Sequence, residues 1–176
     1  MMSARSWSCK APETISEAGG EPVMTRVGHS FIKANMREMQ ALFAGEFSGH
    51  FYFDMKRHGA HAYFENPMLV IIKLMELLAS TPQSLAEEAA PLFKYAHSGE
   101  INFEVKRDKQ EVINEVKDYF SEATINEMDG VRIDHGRFWL LVRASNTEPV
   151  VRLIVEATDT ETMNQIIEEV RQIITR

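Results

Sequence analysis

The chain has 176 residues, of which 44% are hydrophobic and 26% are charged, and its formal net charge is −7. This balance is typical of a folded chain with one domain, or one small domain and part of another, and excludes a disordered chain. The negative charge argues against a general nucleic-acid binder, so any anionic ligand must be held by a local cluster of donors.

Cysteine content and the longest apolar run both favour a cytoplasmic protein. The single cysteine, Cys9, cannot form an internal disulfide, which fits a reducing compartment. The first ten residues are polar and lack the apolar stretch of a secretory signal. The apolar run Met68–Ala79 is interrupted by Lys73 and Glu76 and is too short to cross a bilayer. We therefore expect no membrane partner.

The first half combines helical and extended patterns. Helices are predicted over 12–18, Ser30–Phe43 and Pro67–Ala79, and extended segments over Glu21–Val27 and Phe51–Phe53. Gly19-Gly20 closes the first helix, and Ser30 lies near the N-cap of the second. The third helix, opened by Pro67, is apolar nearly all round, so we expect it to be buried on more than one face. These elements form about half of an α/β unit with an incomplete sheet.

The second half alternates strands and helices differently. A break at Thr81-Pro82-Gln83 places a domain boundary between residues 82 and 83. Helices are predicted over Ser84–Leu92, after Asp108 and after Asp159, and strands over 100–105, 131–133, 137–143 and 150–157. Asp108 and Glu111 resemble a capping box, and Asp129-Gly130 is a hairpin signal. The pattern predicts a small α+β domain with helices on one side of an antiparallel sheet.

The loop Arg143-Ala144-Ser145-Asn146-Thr147-Glu148-Pro149 lies between two predicted strands, and Arg152 follows in the second. A phosphate dianion requires several N–H and O–H donors together with a fixed positive charge. The planar guanidinium of arginine matches two phosphate oxygens, and hydroxyl and backbone N–H groups satisfy the others. Ordinary polar turns use the same residue types to hydrogen-bond their own backbone, so the chemistry leaves both interpretations open.

A second polar loop, Gly45-Glu46-Phe47-Ser48-Gly49-His50, has glycine on both sides of a carboxylate and a hydroxyl. On an extended segment Glu46 and Ser48 point the same way, so they can accept from and donate to adjacent sugar hydroxyls. The glycines allow close approach of the backbone. A glycine-rich turn with a solvated glutamate is the alternative interpretation.

Three segments in this order resemble the α-D-phosphohexomutases, the phosphomannomutase/phosphoglucomutase family. The loop 143–149 resembles the phosphate-binding loop of that family's C-terminal domain. The loop 45–50 resembles the Gly-Glu-x-Ser-Gly-His sugar-recognition loop of its third domain. Val27-Gly28-His29-Ser30-Phe31-Ile32-Lys33 resembles the Gly-His-Ser-x-Ile-Lys segment of the same domain. The resemblance covers roughly residues 5 to 53 and 84 to 176.

The resemblance implies a domain organisation and a set of site residues. It implies a partial α/β sugar-recognition domain over 1–82 and an α+β, TBP-like, phosphate-binding domain over 83–176. Glu46 and Ser48 would contact the sugar 3- and 4-hydroxyls, with His50 beside them and His29 and Lys33 lining the cleft. The non-transferred phosphate would be bound by Arg143, Ser145, Asn146 and Thr147, with Arg152 as a weaker addition.

The complete family enzyme moves a phosphoryl group between C1 and C6 of mannose or glucose phosphates, using a phosphoserine and Mg²⁺. This chain has no Thr-Ala-Ser-His-Asn-type loop and no Asp-x-Asp-x-Asp run. We therefore expect no catalytic residue, metal ligand or cofactor in the chain itself, which would bind a hexose phosphate without converting it.

A non-enzymatic module that binds sugar phosphates or assembles with another chain is the alternative. An incomplete sheet exposes an edge and apolar surface, which favours self-association or docking to a complementary N-terminal mutase fragment. The segment 54–66 departs from the family pattern. Its His58 and His61 have a His-x-x-His spacing, but no third ligand is near, so we interpret them as part of a solvated loop.

Overall fold

The computed structural model describes residues 2–3, 10–46, 48–60 and 62–176, without the side chains of residues 2, 3, 57 and 58. The predictions for Cys9, His61 and the His58 side chain lie outside this description. The chain divides into two compact units, Met1–Phe93 and Lys94–Arg176. The boundary predicted between residues 82 and 83 lies earlier in the chain.

The described residues of the first unit form short strands and helices. Its strands are β1 (Met2–Ser3), β2 (Met24–Thr25), β3 (Phe43–Gly45), β4 (Phe51–Asp54) and β5 (Tyr63–Glu65). Its α-helices are α1 (Lys10–Glu17), α2 (His29–Met39), α3 (Pro67–Ser80) and α4 (Leu85–Ala89), with 3₁₀ turns over Met55–His58 and Ala90–Phe93. The strand order is β2-β1-β3-β4-β5, in which β1 runs parallel to β2 and β3 and the other pairs are antiparallel. This mixed sheet with helices is the predicted α/β arrangement.

Helix α2 begins and ends differently from the prediction. It starts at His29 after Gly28, which has a φ of 122° and provides no side-chain cap. The N-cap is therefore Gly28, two residues before Ser30, and Ser30 lies in the first turn. It ends at Met39 because Gln40 adopts the left-handed conformation with a φ of 52°, and the Gln40 N–H donates to the Met36 carbonyl. The chain then turns early enough for Phe43 to begin β3.

Helix α3 forms where the sequence predicts it but is not buried. Asn66 caps it by accepting from the Leu69 N–H at 3.1 Å, and Pro67 occupies its first turn. No residue of α3 is buried, so the prediction of burial on several faces is wrong. The strands of this unit have only two to four residues and cover too little area for a 14-residue apolar helix. In the described part of the unit, the buried core consists of Ile32, Met36, Ala44, Tyr52 and Tyr63.

The second unit is the predicted α+β domain. Its strands are β6 (Ala96–Glu104), β7 (Thr124–Asn126), β8 (Val131–His135), β9 (Phe138–Ala144) and β10 (Val150–Ala157). Its helices are α5 (Lys109–Tyr119) and α6 (Thr160–Ile174). All neighbours in the order β6-β10-β9-β8-β7 pair antiparallel. The three-residue strand β7 was not predicted because it is too short to show alternation.

Asp108 and Asp159, after which the sequence predicts the two helices of this unit, are both N-caps. Asp108 accepts from the N–H groups of Gln110 and Glu111 at 2.8 and 3.0 Å. Asp159 accepts from the Thr162 N–H at 2.7 Å. This bond, with those from the hydroxyls of Thr158 and Thr162, lowers the pKa of Asp159 to about 2. A cap depends on residues within one helical turn, so the sequence specifies it locally.

The two faces of the second sheet differ. One face packs on α5 and α6 through a continuous apolar core that includes Val142, Val151, Val116 and Val170. Strand side chains alternate between faces, so Arg143 and Arg152 lie on the opposite face. That face also buries a polar pair, since the buried Trp139 indole donates to Glu156 Oε1 at 3.1 Å.

In the described part of the chain, no single helix is long and apolar enough to cross a bilayer. Only Pro67–Ser80 together with Leu85–Phe93, joined through a bend of 108°, reaches the required length and composition.

Candidate functional site

The loop 143–149 connects β9 to β10 and places two arginines next to each other. Arg143 and Arg152 are direct cross-strand partners in this hairpin. Both side chains are mostly buried, with exposed fractions of 12% and 24%. A cross-strand pair of like charges is unfavourable unless an anion lies between them.

In the structure that anion is a carboxylate of the protein. Glu100 Oε2 lies 2.7 Å from Arg143 Nη2, and Glu100 Oε1 lies 3.1 Å from Arg152 Nη1. Glu148 Oε2 pairs with Arg152 Nη2 at 2.8 Å. Two arginines and two glutamates thus form an alternating chain with no net charge. A bound phosphate must therefore share the arginines with Glu100 or displace it.

The remaining loop residues have different positions. Ser145 is buried, and its Oγ accepts from the N–H groups of Thr147 and Glu148 at 3.4 and 3.2 Å. Its own N–H donates to the Val150 carbonyl at 3.0 Å. Asn146 and Thr147 are exposed, and their side chains have no hydrogen-bond partner among the described residues. Ser145 therefore shapes the turn, while Asn146 and Thr147 present free donors.

The structure adds Lys109 to this loop, a residue that the sequence analysis missed. Its Nζ donates to the carbonyl oxygens of Ser145 and Glu148 at 2.6 and 3.1 Å. A cavity of about 370 Å³ lies beside the contact and is lined by Val105, Arg107, Asp108, Lys109, Asn146, Thr147, Glu148 and Pro149. One feature of the sequence could have pointed to Lys109: it is the first residue of a helix, where the positive end of the helix dipole disfavours a cation.

The loop 45–50 is a tight turn between β3 and β4. The Glu46 N–H donates to the His50 carbonyl at 2.9 Å, and the Gly49 N–H donates to the Glu46 carbonyl at 3.0 Å. Gly49 has a φ of 82°, a conformation that other residues rarely adopt. Phe47 lies outside the described residues.

The polar side chains of this turn converge. Ser48 Oγ donates to Glu46 Oε2 at 3.3 Å and lies 2.8 Å from His50 Nδ1. His50 Nε2 in turn lies 3.8 Å from Glu65 Oε1. Ser48 and His50 are exposed and Glu46 is half-buried. The predicted trio of Glu46, Ser48 and His50 therefore forms one cluster with several groups that can bind hydroxyls.

Tyr52 fixes the position of the Glu46 carboxylate through a hydrogen bond. The sequence did not single out this residue. Its buried hydroxyl donates to Glu46 Oε1 at 3.1 Å. Burial raises the pKa of Tyr52 well above its usual range, and the carboxylates of Glu46 and Glu65 raise this pKa further. The hydroxyl therefore stays protonated and remains a donor. The residue was overlooked because it resembled an ordinary apolar position in a short strand.

Helix α2 provides the other two predicted residues. His29 is exposed in its first turn, and Lys33 follows one turn later on the same face. Lys33 Nζ lies 5.8 Å from the centre of the Tyr52 ring, which brings its positive charge beside the turn. No hydrogen bond, ion pair or ring contact joins His29 to the cluster in the described part of the chain. Among the described residues, no three His, Cys, Asp or Glu side chains converge as a metal site would require.

Family models match both halves of the chain. One, described as "Phosphoglucomutase/phosphomannomutase, alpha/beta/alpha domain III", matches residues 6–95. The other, described as "Phosphoglucomutase/phosphomannomutase, C-terminal domain", matches residues 100–173.

Individual relatives agree with these matches. The chain is 42% identical over 165 residues to a phosphomannomutase of Methanocaldococcus jannaschii, covering 94% of this chain and 35% of the relative. It is 37% identical over 155 residues to a phosphomannomutase/phosphoglucomutase of Pseudomonas aeruginosa, covering 86% of this chain and 33% of the relative. A crystal structure of a phosphoglucomutase/phosphomannomutase family protein from Burkholderia thailandensis superposes with a TM-score of 0.77 at 28% identity. That superposition covers 98% of this chain and 36% of the other. The chain thus spans about a third of the length of these relatives.

Proposed function

This chain belongs to the phosphoglucomutase/phosphomannomutase family, and on that premise we propose that it binds a hexose phosphate and orients it without transferring its phosphoryl group. The observation that carries the proposal is the loop 143–149, where two adjacent arginines lie beside a turn with exposed Asn146 and Thr147 donors. The phosphate would bind at this loop. The cluster of Glu46, Ser48 and His50 would bind the sugar hydroxyls.

The phosphate part of the proposal rests on charge and donor geometry. Arg143 and Arg152 already hold a carboxylate, that of Glu100, between their guanidinium groups. A phosphate offers more acceptor oxygens and more negative charge than a carboxylate, so the same arginines favour it. Asn146 and Thr147 supply further donors at the surface of the loop. This set can hold a phosphate in place, which is a positioning role.

The sugar part rests on the hydrogen bonds of the turn between β3 and β4. Glu46 accepts from Tyr52 with one oxygen, so its second oxygen, now 3.3 Å from Ser48 Oγ, can accept from a sugar hydroxyl. Ser48 is exposed and can donate to a neighbouring hydroxyl oxygen. A carboxylate paired with a hydroxyl matches two adjacent hydroxyls of a pyranose.

Catalysis is not part of the proposal for this polypeptide. The Mg²⁺ that the family uses finds no fitting set of ligands among the described residues. The phosphoserine and aspartate motifs named above are likewise not in the sequence. We therefore assign the chain no step of the phosphoryl transfer.

Calorimetric titration with mannose 1-phosphate and with inorganic phosphate tests the binding proposal. Arg143→Ala should abolish binding of both ligands, because it removes the charge that best matches phosphate. Glu46→Ala should weaken mannose 1-phosphate alone, by about tenfold if one hydrogen bond to a charged group is lost.

A matched control is Arg137→Ala. Arg137 is exposed and pairs with Asp159 and Thr162 of the second unit, so its loss changes the net charge equally without touching the loop. Phosphate affinity that is the same in Arg143→Ala and in wild type would refute the loop assignment. Equal losses of phosphate affinity in Arg143→Ala and Arg137→Ala would show that the effect comes from net charge and not from the loop.

The second candidate function is assembly, which α3 favours. This apolar helix has large exposed side chains, among them Met68, Ile71, Ile72 and Met75. Exposed apolar surface of this kind marks interaction sites in soluble proteins. In this version the chain self-associates or docks to a complementary N-terminal mutase fragment.

A further inference from the structure

Lys109 crosses from the start of α5 to the loop 143–149 and binds two of its carbonyl oxygens. Nζ lies 2.6 Å from the Ser145 carbonyl oxygen and 3.1 Å from that of Glu148, residues 36 and 39 positions later in the chain. Charge-assisted bonds of this length are stronger than bonds between neutral groups. One ammonium therefore fixes both ends of the four-residue turn.

The position of this lysine is electrostatically unfavourable for the helix. Lys109 is the first residue of α5, where unpaired N–H groups and the helix dipole repel a cation. The acidic cap Asp108 offsets part of that repulsion. The two carbonyl contacts offset it further, and they give a physical reason for a lysine at this position.

The contact also sets the direction of one backbone donor. The peptide between Ser145 and Asn146 is trans, so its N–H points opposite to its carbonyl. Since the Ser145 carbonyl faces Lys109, the Asn146 N–H points away from Lys109. That N–H has no hydrogen-bond partner among the described residues. It differs in this from the N–H groups of Thr147 and Glu148, which both donate to Ser145 Oγ.

Lys109 and the arginines approach the loop from different sides of the sheet. Lys109 belongs to α5, which packs on the helix-covered face, whereas Arg143 and Arg152 lie on the other face. The Asn146 N–H therefore points away from the side on which the Lys109 ammonium approaches the loop. Without the ammonium, the peptide could rotate and present its carbonyl oxygen, which repels an anion.

We propose that Lys109 is a positioning residue of the phosphate loop: it holds the 145–146 peptide so that the Asn146 N–H is presented to the bound phosphate. The proposal rests on the proposed phosphate-binding function of this loop. Lys109 itself acts through the peptide and needs no contact with the ligand.

The test compares Lys109→Met, Lys109→Arg and Lys117→Met in the full 176-residue chain, with inorganic phosphate as the probe. Lys117 lies on the same helix and pairs with Glu127, so its substitution removes the same charge from α5 away from the loop. Two readouts are taken: phosphate affinity by calorimetry, and the NMR signals and hydrogen exchange of the amides of residues 145–148.

In wild type the Asn146 amide should show the largest shift in the loop on adding phosphate. Lys109→Met should weaken phosphate binding by about tenfold and speed exchange of the Thr147 and Glu148 amides. Lys109→Arg should retain much of the phosphate affinity and of the slow amide exchange of wild type, because a guanidinium can also donate to two carbonyls. Lys117→Met should change neither.

Two outcomes overturn the proposal. In the first, Lys109→Met has the same phosphate affinity and the same loop amide exchange as wild type. In the second, Lys109→Met loses only as much phosphate affinity as Lys117→Met, and its loop amide exchange is unchanged. If wild type binds no phosphate, the proposed function fails. The exchange comparison then still decides, in either direction, whether Lys109 positions the loop.

Discussion

The buried hydroxyl of Tyr52 determines where the carboxylate of Glu46 points. It donates to Glu46 Oε1 and leaves Glu46 Oε2 near Ser48. Because Tyr52 is buried, its partner cannot be replaced by water without disturbing the small core of the first unit. The proposed sugar-binding geometry therefore depends on a residue that needs no contact with the ligand.

Tyr52→Phe should change the pH dependence of stability. The pKa of Tyr52 is raised in the folded chain, so above its unfolded pKa, about 10, the unfolded chain loses a proton that the folded chain retains. The stabilisation is complete below that pH and is lost as the pH rises above it. In Tyr52→Phe this loss should be absent, as measured by urea unfolding between neutral and strongly alkaline pH.

Tyr119→Phe is the matched control because the Tyr119 side chain is 57% exposed. Its alkaline destabilisation should follow that of wild type. An identical alkaline loss of stability in wild type and Tyr52→Phe would contradict the assigned role of the Tyr52 hydroxyl.

Side chains that define the two loops could be predicted from the sequence, but their supporting partners could not. Arg143, Asn146 and Thr147 stand together in the chain, and so do Glu46 and Ser48. Their partners Glu100 and Lys109 lie some 40 residues earlier than the loop they contact. Only the pairing of β6 with β10 and the packing of α5 bring these partners to the loop.

Helices show the same division between local and tertiary information. The caps at Asp108 and Asp159 were predictable because each involves residues two or three positions apart. The burial of α3 was not, because it depends on what covers the helix. Its sequence is that of a buried helix, yet the short strands of the first sheet leave it exposed. This mismatch is the physical basis for the proposed assembly role.

Replacing Met68 and Met75 with lysine should reduce self-association. These residues are two helical turns apart on one face of α3 and are 61% and 65% exposed. In size-exclusion chromatography with light scattering, the molar mass of wild type should exceed that of a monomer and should increase with protein concentration. The double variant should run as a monomer, because two buried charges oppose association.

Met128→Lys provides the comparison, since Met128 is an exposed methionine of the second unit. It should associate like wild type. A wild-type chain that is a monomer at every concentration, with a single cooperative melt, would remove self-association from the second candidate function.

The two units differ in how far their folds could be predicted as wholes. In the second, β8, β9 and β10 follow one another through hairpins, so alternation and turn signals predict these three strands and their antiparallel pairing. In the first, β1 pairs in parallel with β2 and β3 through strands of two or three residues. Parallel pairing leaves no hairpin signal, and strands this short show no periodicity. The family resemblance was therefore more informative there than the pattern.

For the 176-residue chain by itself, the expected result is binding without turnover. Incubation with glucose 1-phosphate, glucose 1,6-bisphosphate and Mg²⁺ should yield no glucose 6-phosphate above a control without protein. In-line transfer requires a phosphoryl acceptor and donor group on the enzyme and a metal to neutralise the migrating charge. The chain has neither the serine motif nor the aspartate run, and no metal-binding cluster appears in its described part.

An intact phosphomannomutase assayed beside it confirms that the substrates and coupling reagents work, and calorimetry on the same preparation confirms that the chain is folded and binds. Turnover that rises with the amount of chain and disappears in Arg143→Ala would show that the loops support chemistry without those groups. Turnover that persists in Arg143→Ala would instead point to a contaminating mutase, because that activity would not depend on the phosphate loop. The variant thus separates catalysis by this chain from catalysis in the sample.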